Sequence, residues 1–292
     1  MSKKKSRHTK KTARSLRFMQ FFYRTFGAIF PNYVADLAYK QWSTTMRFKP
    51  PAHEQAAIDY AQHDTINVND LDITVYIWPV NNLNKTLLFI HGWTGRGTQI
   101  VNYIKPLNAL GYRVISFDGP AHGRTSGKQT SMLEFTDVVF ALDEKYGNFD
   151  AAITHSFGGL VITYAMSLGL NIKKVACLCP AVNFYELIES YQRILTFPDT
   201  VKQIIRRKLL ASHGRILQDS VNLLNNADKL TSKALIIHDK DDAIYPCSNS
   251  EKVAKIWPGS TLLLTEGLGH TRIIHDKKVI HTIVNFMTDK KA

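Results

Sequence analysis

Cysteine is scarce in this chain, which has three in 292 residues: Cys177, Cys179 and Cys247. A small, odd number in a chain of this length cannot build the disulfide framework of a secreted protein, so a reducing, cytoplasmic environment is expected. Cys177 and Cys179 lie two positions apart in an apolar run, without a second pair of candidate ligands. We therefore expect them to be packing residues and predict no metal site.

Long apolar runs are also missing. No stretch approaches the ~20 apolar residues of a membrane span, and none has the form of a signal peptide. No glycine-rich phosphate loop follows a predicted strand, so no cofactor is expected. The remaining composition, 45% hydrophobic and 21% charged, is that of a globular protein and excludes a disordered or fibrous one.

Acidic residues are absent before Asp36. Residues 1 to 24 instead carry nine positive charges: Lys3, Lys4, Lys5, Arg7, Lys10, Lys11, Arg14, Arg17 and Arg24. The net charge is +13, so the other 268 residues hold only +4. A nearly neutral globular part gives no evidence of a nucleic-acid-binding domain, and no specific nucleic acid partner is expected.

Residues 15 to 30 predict an amphipathic helix with a wide apolar face, because polar or small residues recur in it every three or four positions. Two interpretations stay open. The helix packs on the protein's own core, which we favour, or residues 1 to 30 make peripheral contact with the inner membrane surface. Residues 1 to 50 are therefore predicted to be a basic, helical N-terminal extension.

From residue 51 to residue 292, short apolar runs alternate with helical patterns. The runs, which we predict to be strands, are 73–78, 86–90, 113–117, 151–154, 174–178, 234–238 and 260–264. Helical patterns lie between them at 100–110, 132–146, 158–168 and 248–256. This alternation predicts an α/β fold with a mostly parallel, doubly wound sheet. Residues 182 to 232 interrupt it with two further helical patterns and are expected to form an inserted helical cap.

Ser156 follows the predicted strand 151–154 almost at once and precedes a helical pattern. A serine on such a tight turn projects its hydroxyl above the sheet, and its small neighbours Gly158 and Gly159 suit a strained backbone. The N–H of Phe157, at the start of the helix, would favour a developing oxyanion. The pattern G-x-S-x-G is incomplete because Thr154 occupies its first position.

A serine nucleophile needs a base, and the base needs an orienting acid. The loop after strand 234–238 offers Asp239, Asp241 and Asp242, and the loop after strand 260–264 offers His270. Among the other histidines, His91 and His155 flank the turns and are expected to brace them. A further turn follows strand 86–90, where Gly92 lets the backbone N–H of Trp93 act as a second oxyanion donor.

Together these segments resemble the α/β-hydrolase superfamily, in its serine esterase-like branch with a helical cap. The matching segments are His91-Gly92-Trp93, residues 118–124 (DGPAHGR), residues 155–159 (HSFGG), residues 238–246 and Gly269-His270. By position, Ser156 resembles the nucleophile, His270 the base and Asp242 the acid, with Asp241 and Asp239 as rivals for the last role. His122 falls in the loop that shapes the site in this family.

The resemblance implies a serine hydrolase that cleaves small-molecule carboxylic esters through an acyl-enzyme, without a cofactor. A thioesterase, a lactonase or a carbon–carbon bond hydrolase on the same three residues is the nearest alternative. A non-catalytic binding protein and a membrane-surface anchor protein are the alternatives from other classes. Substrate specificity and oligomeric state are not encoded in any motif of the sequence.

Overall fold

The computed structural model describes the backbone of residues 2–81, 85–213 and 221–288, and side chains within 14–81, 85–211 and 221–288. The chain divides into two compact units. The sheet unit consists of Thr44–Asn183 and Asp219–Ala292, and the helical unit of Met1–Ser43 and Phe184–Gln218. The N-terminal segment and the insertion, which the sequence analysis treats as separate parts, thus belong to one unit.

Eight strands of the described chain form a single sheet in the order β1-β2-β4-β3-β5-β6-β7-β8. They are β1 Gln62–Val68, β2 Leu71–Trp78, β3 Lys85–Ile90, β4 Tyr112–Phe117, β5 Ala151–His155, β6 Lys174–Leu178, β7 Lys233–Asp239 and β8 Ser260–Thr265. Strands β1 and β2 pair antiparallel, and β2 pairs antiparallel with β4. All other neighbours are parallel. The predicted α/β fold with a mostly parallel sheet is confirmed.

The helices of the described chain are α1 Ser2–Ile29, α2 Pro31–Ser43, α3 Ala52–Tyr60, α4 Val101–Ala109, α5 Met132–Tyr146, α6 Phe157–Ser167, α7 Phe184–Leu195, α8 Asp199–His213, α9 Leu223–Asn226, α10 Cys247–Ile256, α11 Gly269–Arg272 and α12 Lys277–Met287. In the sheet unit they cover both faces of the sheet. Every residue from Leu87 to Ile90 on β3 is consequently fully buried. This double burial explains why the strands read as continuous apolar runs.

In the helical unit, aromatic contacts and ion pairs join segments that are distant in the sequence. The ring of Tyr23 on α1 lies 6.4 Å from that of Phe197, in the insertion. Lys208 Nζ on α8 lies 2.5 Å from a carboxylate oxygen of Asp36 on α2. No described helix combines the length and the apolar character needed to cross a membrane.

The strand predictions are accurate to one or two residues at each end, but β1, α2 and α3 were not predicted. Strand β1 is not predictable from the sequence because Ile66 is its one buried residue, so the segment lacks the apolar alternation of a strand. The N-terminal helix, predicted for residues 15 to 30, begins at Ser2. Its basic first half has no apolar periodicity that could have indicated this.

Two buried histidines tie the loop after β3 to the loop after β4. Nε2 of His91 accepts a hydrogen bond from the backbone N–H of Gly119 (3.0 Å), and Nε2 of His122 accepts one from the N–H of Thr94 (3.1 Å). Each ring nitrogen that accepts a hydrogen bond must be unprotonated, so both rings are neutral. Burial accordingly lowers the pKa of His91 to about 4 and that of His122 to about 3.

This bracing predicts that acid weakens the fold. Below an unfolded-state pKa of about 6.5 the unfolded chain takes up protons at these two histidines and the native protein does not, so stability must fall as the pH falls. Each histidine contributes up to about 1.4 kcal/mol per pH unit until its native pKa is reached.

Urea unfolding between pH 7 and pH 5 should show this slope, and H122N should reduce it. The control H281N removes an exposed imidazole and should leave the slope unchanged. A wild-type stability independent of pH in this range would contradict the account.

Candidate active site

Ser156 occupies the turn between β5 and α6, with a backbone φ of +55°. Few non-glycine residues adopt this left-handed region, and its strain is found mainly where a structure holds a functional side chain in place. The turn is possible because its neighbours lack side chains. A Cβ on Gly158 would lie 2.4 Å from the carbonyl oxygen of Ile90, and one on Gly159 would lie 2.7 Å from Cβ of Pro180. Thr154, in place of the first motif glycine, is accommodated fully buried.

The loops after β7 and β8 bring two further predicted residues to Ser156. His270 lies in α11, and its Nε2 is 2.8 Å from Oγ of Ser156. Its other ring nitrogen, Nδ1, is 2.7 Å from Oδ2 of Asp242. The three side chains therefore form a continuous hydrogen-bonded chain from the carboxylate to the serine hydroxyl. Such a chain can move the hydroxyl proton to the imidazole and hold the imidazole in one tautomer.

The carboxylate of Asp242 is fully buried and fully hydrogen-bonded. Its Oδ1 accepts hydrogen bonds from the backbone N–H groups of Ile244 (2.7 Å) and Tyr245 (3.1 Å). Its Oδ2 faces His270 and also lies 3.3 Å from Nε2 of His238. Burial alone would raise the pKa of Asp242, but the hydrogen bonds from His238 and His270 outweigh it and hold this pKa well below its usual range. Asp242 is therefore ionised at neutral pH.

Asp239, a rival candidate for the acid, has a different role. It is fully buried at the end of β7. Its carboxylate accepts hydrogen bonds from the backbone N–H groups of Gly269 (2.8 Å) and Leu268 (3.1 Å) and from the hydroxyl of Thr265 (2.7 Å). Asp239 thus fastens the loop that carries His270 to the loop that carries Asp242, a role that sequence reasoning missed.

Asp241, the other rival, is exposed and bonds the loop that carries His270. Its Oδ2 accepts a hydrogen bond of 2.8 Å from the backbone N–H of Gly267. Neither Asp241 nor Asp239 has a hydrogen bond to His270 among those of the described residues. The structure therefore places Asp242, and neither rival, against the imidazole.

The imidazole of His270 is also held from both sides. The ring of His155 lies 5.0 Å from it and that of Tyr245 lies 5.2 Å from it. Nε2 of His155 lies 2.8 Å from the backbone oxygen of His270 and, because a carbonyl only accepts, donates to it. Burial, and then the neighbouring His270, lower the pKa of His155 to about 4. His155 is therefore a neutral brace at pH 7.

Trp93 and Phe157, the predicted oxyanion donors, lie on the two turns that meet at Ser156. A Cβ on Gly92 would lie 2.9 Å from Cβ of Ser156, so the loop after β3 passes directly beside the serine. The rings of Trp93 and Phe157 contact edge to face, with centroids 5.2 Å apart. The N–H of Phe157 is the first of α6, where the helix itself supplies no acceptor. The two turns that carry these amides thus lie side by side at Ser156.

Cys179 completes a group of possible metal ligands with Asp242 and His270, whose ligand atoms all lie within 4.8 Å of one another. Burial, and then the charge of Asp242, raise the pKa of the Cys179 thiol well above its usual range. The other two members already contact each other in the hydrogen-bonded chain, so the group does not fit a metal ion.

Comparison with known proteins agrees with this architecture. An uncharacterized protein of Bacillus subtilis, YqkD, is 24% identical over 234 residues, which are 75% of this chain and 77% of that protein. The esterase Pf2001 of Pyrococcus furiosus superposes with a TM-score of 0.62 and 19% identity, over 84% of this chain and 95% of the other. Est1E of Butyrivibrio proteoclasticus, solved with ferulic acid, superposes with a TM-score of 0.60 and 19% identity, over 77% and 97%. At these identities the two solved structures show a common fold.

The family itself is shown by the sequence. The model that describes the α/β-hydrolase fold matches residues 85–232, from the start of β3 to the residue before β7, which is just over half of the chain. This range includes the turn that carries Ser156 as well as the insertion. The chain belongs to the α/β-hydrolase family.

Proposed function

We propose that this protein is a serine hydrolase that cleaves carboxylic esters through an acyl-enzyme intermediate. The observation that carries the proposal is the hydrogen-bonded chain from Asp242 through His270 to Ser156, with distances of 2.7 and 2.8 Å. A serine hydroxyl is a weak nucleophile unless a base accepts its proton during attack. A serine held at a strained strand-to-helix turn, next to an imidazole, meets this requirement.

In the acylation step, Oγ of Ser156 attacks the ester carbonyl carbon while its proton passes to Nε2 of His270. The carbonyl oxygen becomes an oxyanion, and the backbone N–H groups of Trp93 and Phe157 stabilise it. The tetrahedral intermediate then collapses with cleavage of the carbon–oxygen bond. The imidazolium gives its proton to the departing alcohol, leaving the acyl group on Ser156.

In the deacylation step, His270 takes a proton from water as the water attacks the acyl carbon. A second oxyanion forms in the same place, and its collapse releases the carboxylic acid and returns the proton to Ser156. Asp242 stays ionised throughout and stabilises the imidazolium. Its depressed pKa supports this assignment, since a carboxylate that is readily protonated would lose the charge that the imidazolium needs.

The same residues would serve the cleavage of thioesters, lactones or activated carbon–carbon bonds. We prefer oxygen esters because solved structures with this fold include esterases, among them Pf2001 of Pyrococcus furiosus. A series of p-nitrophenyl esters of increasing acyl length, tested beside the corresponding thioesters and lactones, separates these reactions by kcat/KM.

A fluorophosphonate probe should label the wild-type protein at Ser156, because the probe reacts with serines activated by a base. S156A should abolish labelling and esterase activity without changing the melting temperature by more than a few degrees. S248A, which removes an exposed hydroxyl, is the matched control and should be labelled like the wild type. Stoichiometric labelling of another serine would remove the assignment.

Replacement of the acid tests the choice between neighbouring aspartates. D242N retains the shape but loses the charge that stabilises the imidazolium, so kcat should fall by a factor on the order of 10³ to 10⁴. D241N should cost far less, because Asp241 bonds only the outside of the His270 loop. Steady-state kinetics on one p-nitrophenyl ester decide between them, and the opposite ranking would assign the acid to Asp241.

D239N should affect position rather than charge at the imidazole. The N–H groups of Leu268 and Gly269 bond different oxygens of the carboxylate, and an amide keeps only one accepting oxygen, so D239N must lose one of these two bonds. The His270 loop should therefore loosen, and kcat should fall by roughly 10- to 100-fold. The variant should also lose several degrees of melting temperature, whereas D242N should keep its chemical defect even at temperatures far below melting. A D239N protein with full kcat and a lowered melting temperature would make Asp239 a purely structural residue.

A further inference from the structure

Helix α1 is apolar on two opposite sides, and the helical unit covers one of them. On the covered side Tyr23 is 3% exposed and faces Phe197. Gly27 lies so close to the insertion that an added Cβ would be 2.8 Å from Cδ of Pro198. This side therefore packs on the insertion. The opposite side of α1 is exposed.

That opposite side, together with the start of α2, exposes six large side chains that we name the apolar stripe: Phe18, Phe21, Phe26, Ile29, Phe30 and Tyr33. Each has between 42% and 72% of its surface exposed. On α1, successive members are three or five residues apart, which at 3.6 residues per turn places them within an arc of about 140° on one side of the helix. Phe30 and Tyr33, again three apart, continue the set to the start of α2. Within the part of the chain that the structure describes, nothing buries this stripe. A contiguous surface of this kind marks a contact with a partner or a membrane.

The net charge of the helical unit indicates which kind of partner contacts the apolar stripe. The helical unit contains 16 Lys/Arg and 4 Asp/Glu, a net charge of +12, whereas the sheet unit contains 21 and 20, a net charge of +1. These two counts cover the whole chain and account for its net charge of +13. Nearly all of the excess positive charge thus belongs to the unit that carries the apolar stripe.

On α1 itself, Arg14, Arg17 and Arg24 are exposed within or beside the stripe. Long arginine side chains can lay their methylene groups along an apolar surface and keep the charged group in a polar layer. A surface that combines anionic groups with an adjoining apolar layer satisfies both sets of residues at once. A phospholipid membrane with anionic headgroups is such a surface.

We propose that the apolar stripe of α1 and α2 docks the protein on anionic phospholipid membranes, with α1 lying in the plane of the interface. The covered side of α1 stays on the insertion, which prevents the helix from entering the membrane on all sides. A second copy of this chain is a poorer occupant, because two units of net charge +12 would repel each other. A nucleic acid would satisfy the arginines but offers no apolar layer for Ile29. This inference is independent of the proposed ester hydrolysis.

The test is sedimentation of the full-length protein with vesicles of phosphatidylcholine alone or of phosphatidylcholine and phosphatidylserine in a 3:1 ratio. We expect binding to the mixed vesicles that weakens with added salt, and at most weak binding to the neutral ones. F18S/I29S removes two exposed apolar side chains and should reduce the partition coefficient at least about tenfold. Its melting temperature and its activity on a water-soluble ester should equal those of the wild type.

A charge variant tests whether the arginines of α1 contribute to vesicle binding. R14Q/R17Q/R24Q should reduce partitioning into the mixed vesicles by a factor on the order of 100, from about 1 kcal/mol for each basic residue near the surface. K128Q/K229Q/K255Q removes the same charge from exposed positions of the sheet unit and should bind like the wild type. L168S is the control for an exposed apolar side chain outside the stripe.

Three outcomes would overturn the proposal. One is the absence of binding to mixed vesicles at low salt. Another is equal vesicle binding by F18S/I29S and the wild type. The third is a concentration-dependent dimer that F18S/I29S dissociates, or retention on a nucleic acid, without vesicle binding. Each reading is a binding or mass measurement, so it stands whether or not the protein hydrolyses esters.

Discussion

The backbone of Ser156 is the constraint on which the site depends. A parallel strand at the centre of the sheet passes directly into a helix, and the single residue between them takes a φ of +55°. That geometry requires the absence of side chains at Gly158 and Gly159, because the carbonyl of Ile90 and the ring of Pro180 occupy the space. The turn thereby places the serine hydroxyl at the carboxyl end of the sheet, where the loops after β3, β7 and β8 also arrive.

Two aspartates three residues apart illustrate how environment sets role. Asp239 accepts hydrogen bonds mainly from backbone N–H groups of two loops, and Asp242 directs one oxygen at His270 and the other at the backbone. In both carboxylates hydrogen bonding outweighs burial and lowers the pKa. Only Asp242 has an imidazole partner that can carry a proton. One aspartate therefore fixes the distance between loops and the other supports the chemistry.

Much of the fold was predictable because β2 to β8 are apolar runs separated by helical patterns. The candidate site was predictable because Ser156, the acidic loop and His270 each follow such a run, and the ends of parallel strands meet at one edge. The features that could not be predicted from the sequence depend on contacts between distant segments. Asp239 and His122 accept hydrogen bonds from backbone N–H groups of distant loops, which leave no periodic signal in the sequence. Likewise, an amphipathic pattern does not reveal that α1 has both a covered and an exposed apolar side.

The central claim, that Ser156 forms a covalent acyl intermediate, is most directly tested with a carbamate ester whose carbamoyl-enzyme hydrolyses slowly. After mixing with p-nitrophenyl dimethylcarbamate, the protein should release one equivalent of p-nitrophenolate. Peptide mass mapping should then find the carbamoyl group on Ser156, and H270A should show neither event. Release of p-nitrophenolate without a stable adduct, or an adduct on any residue other than Ser156, would contradict the account.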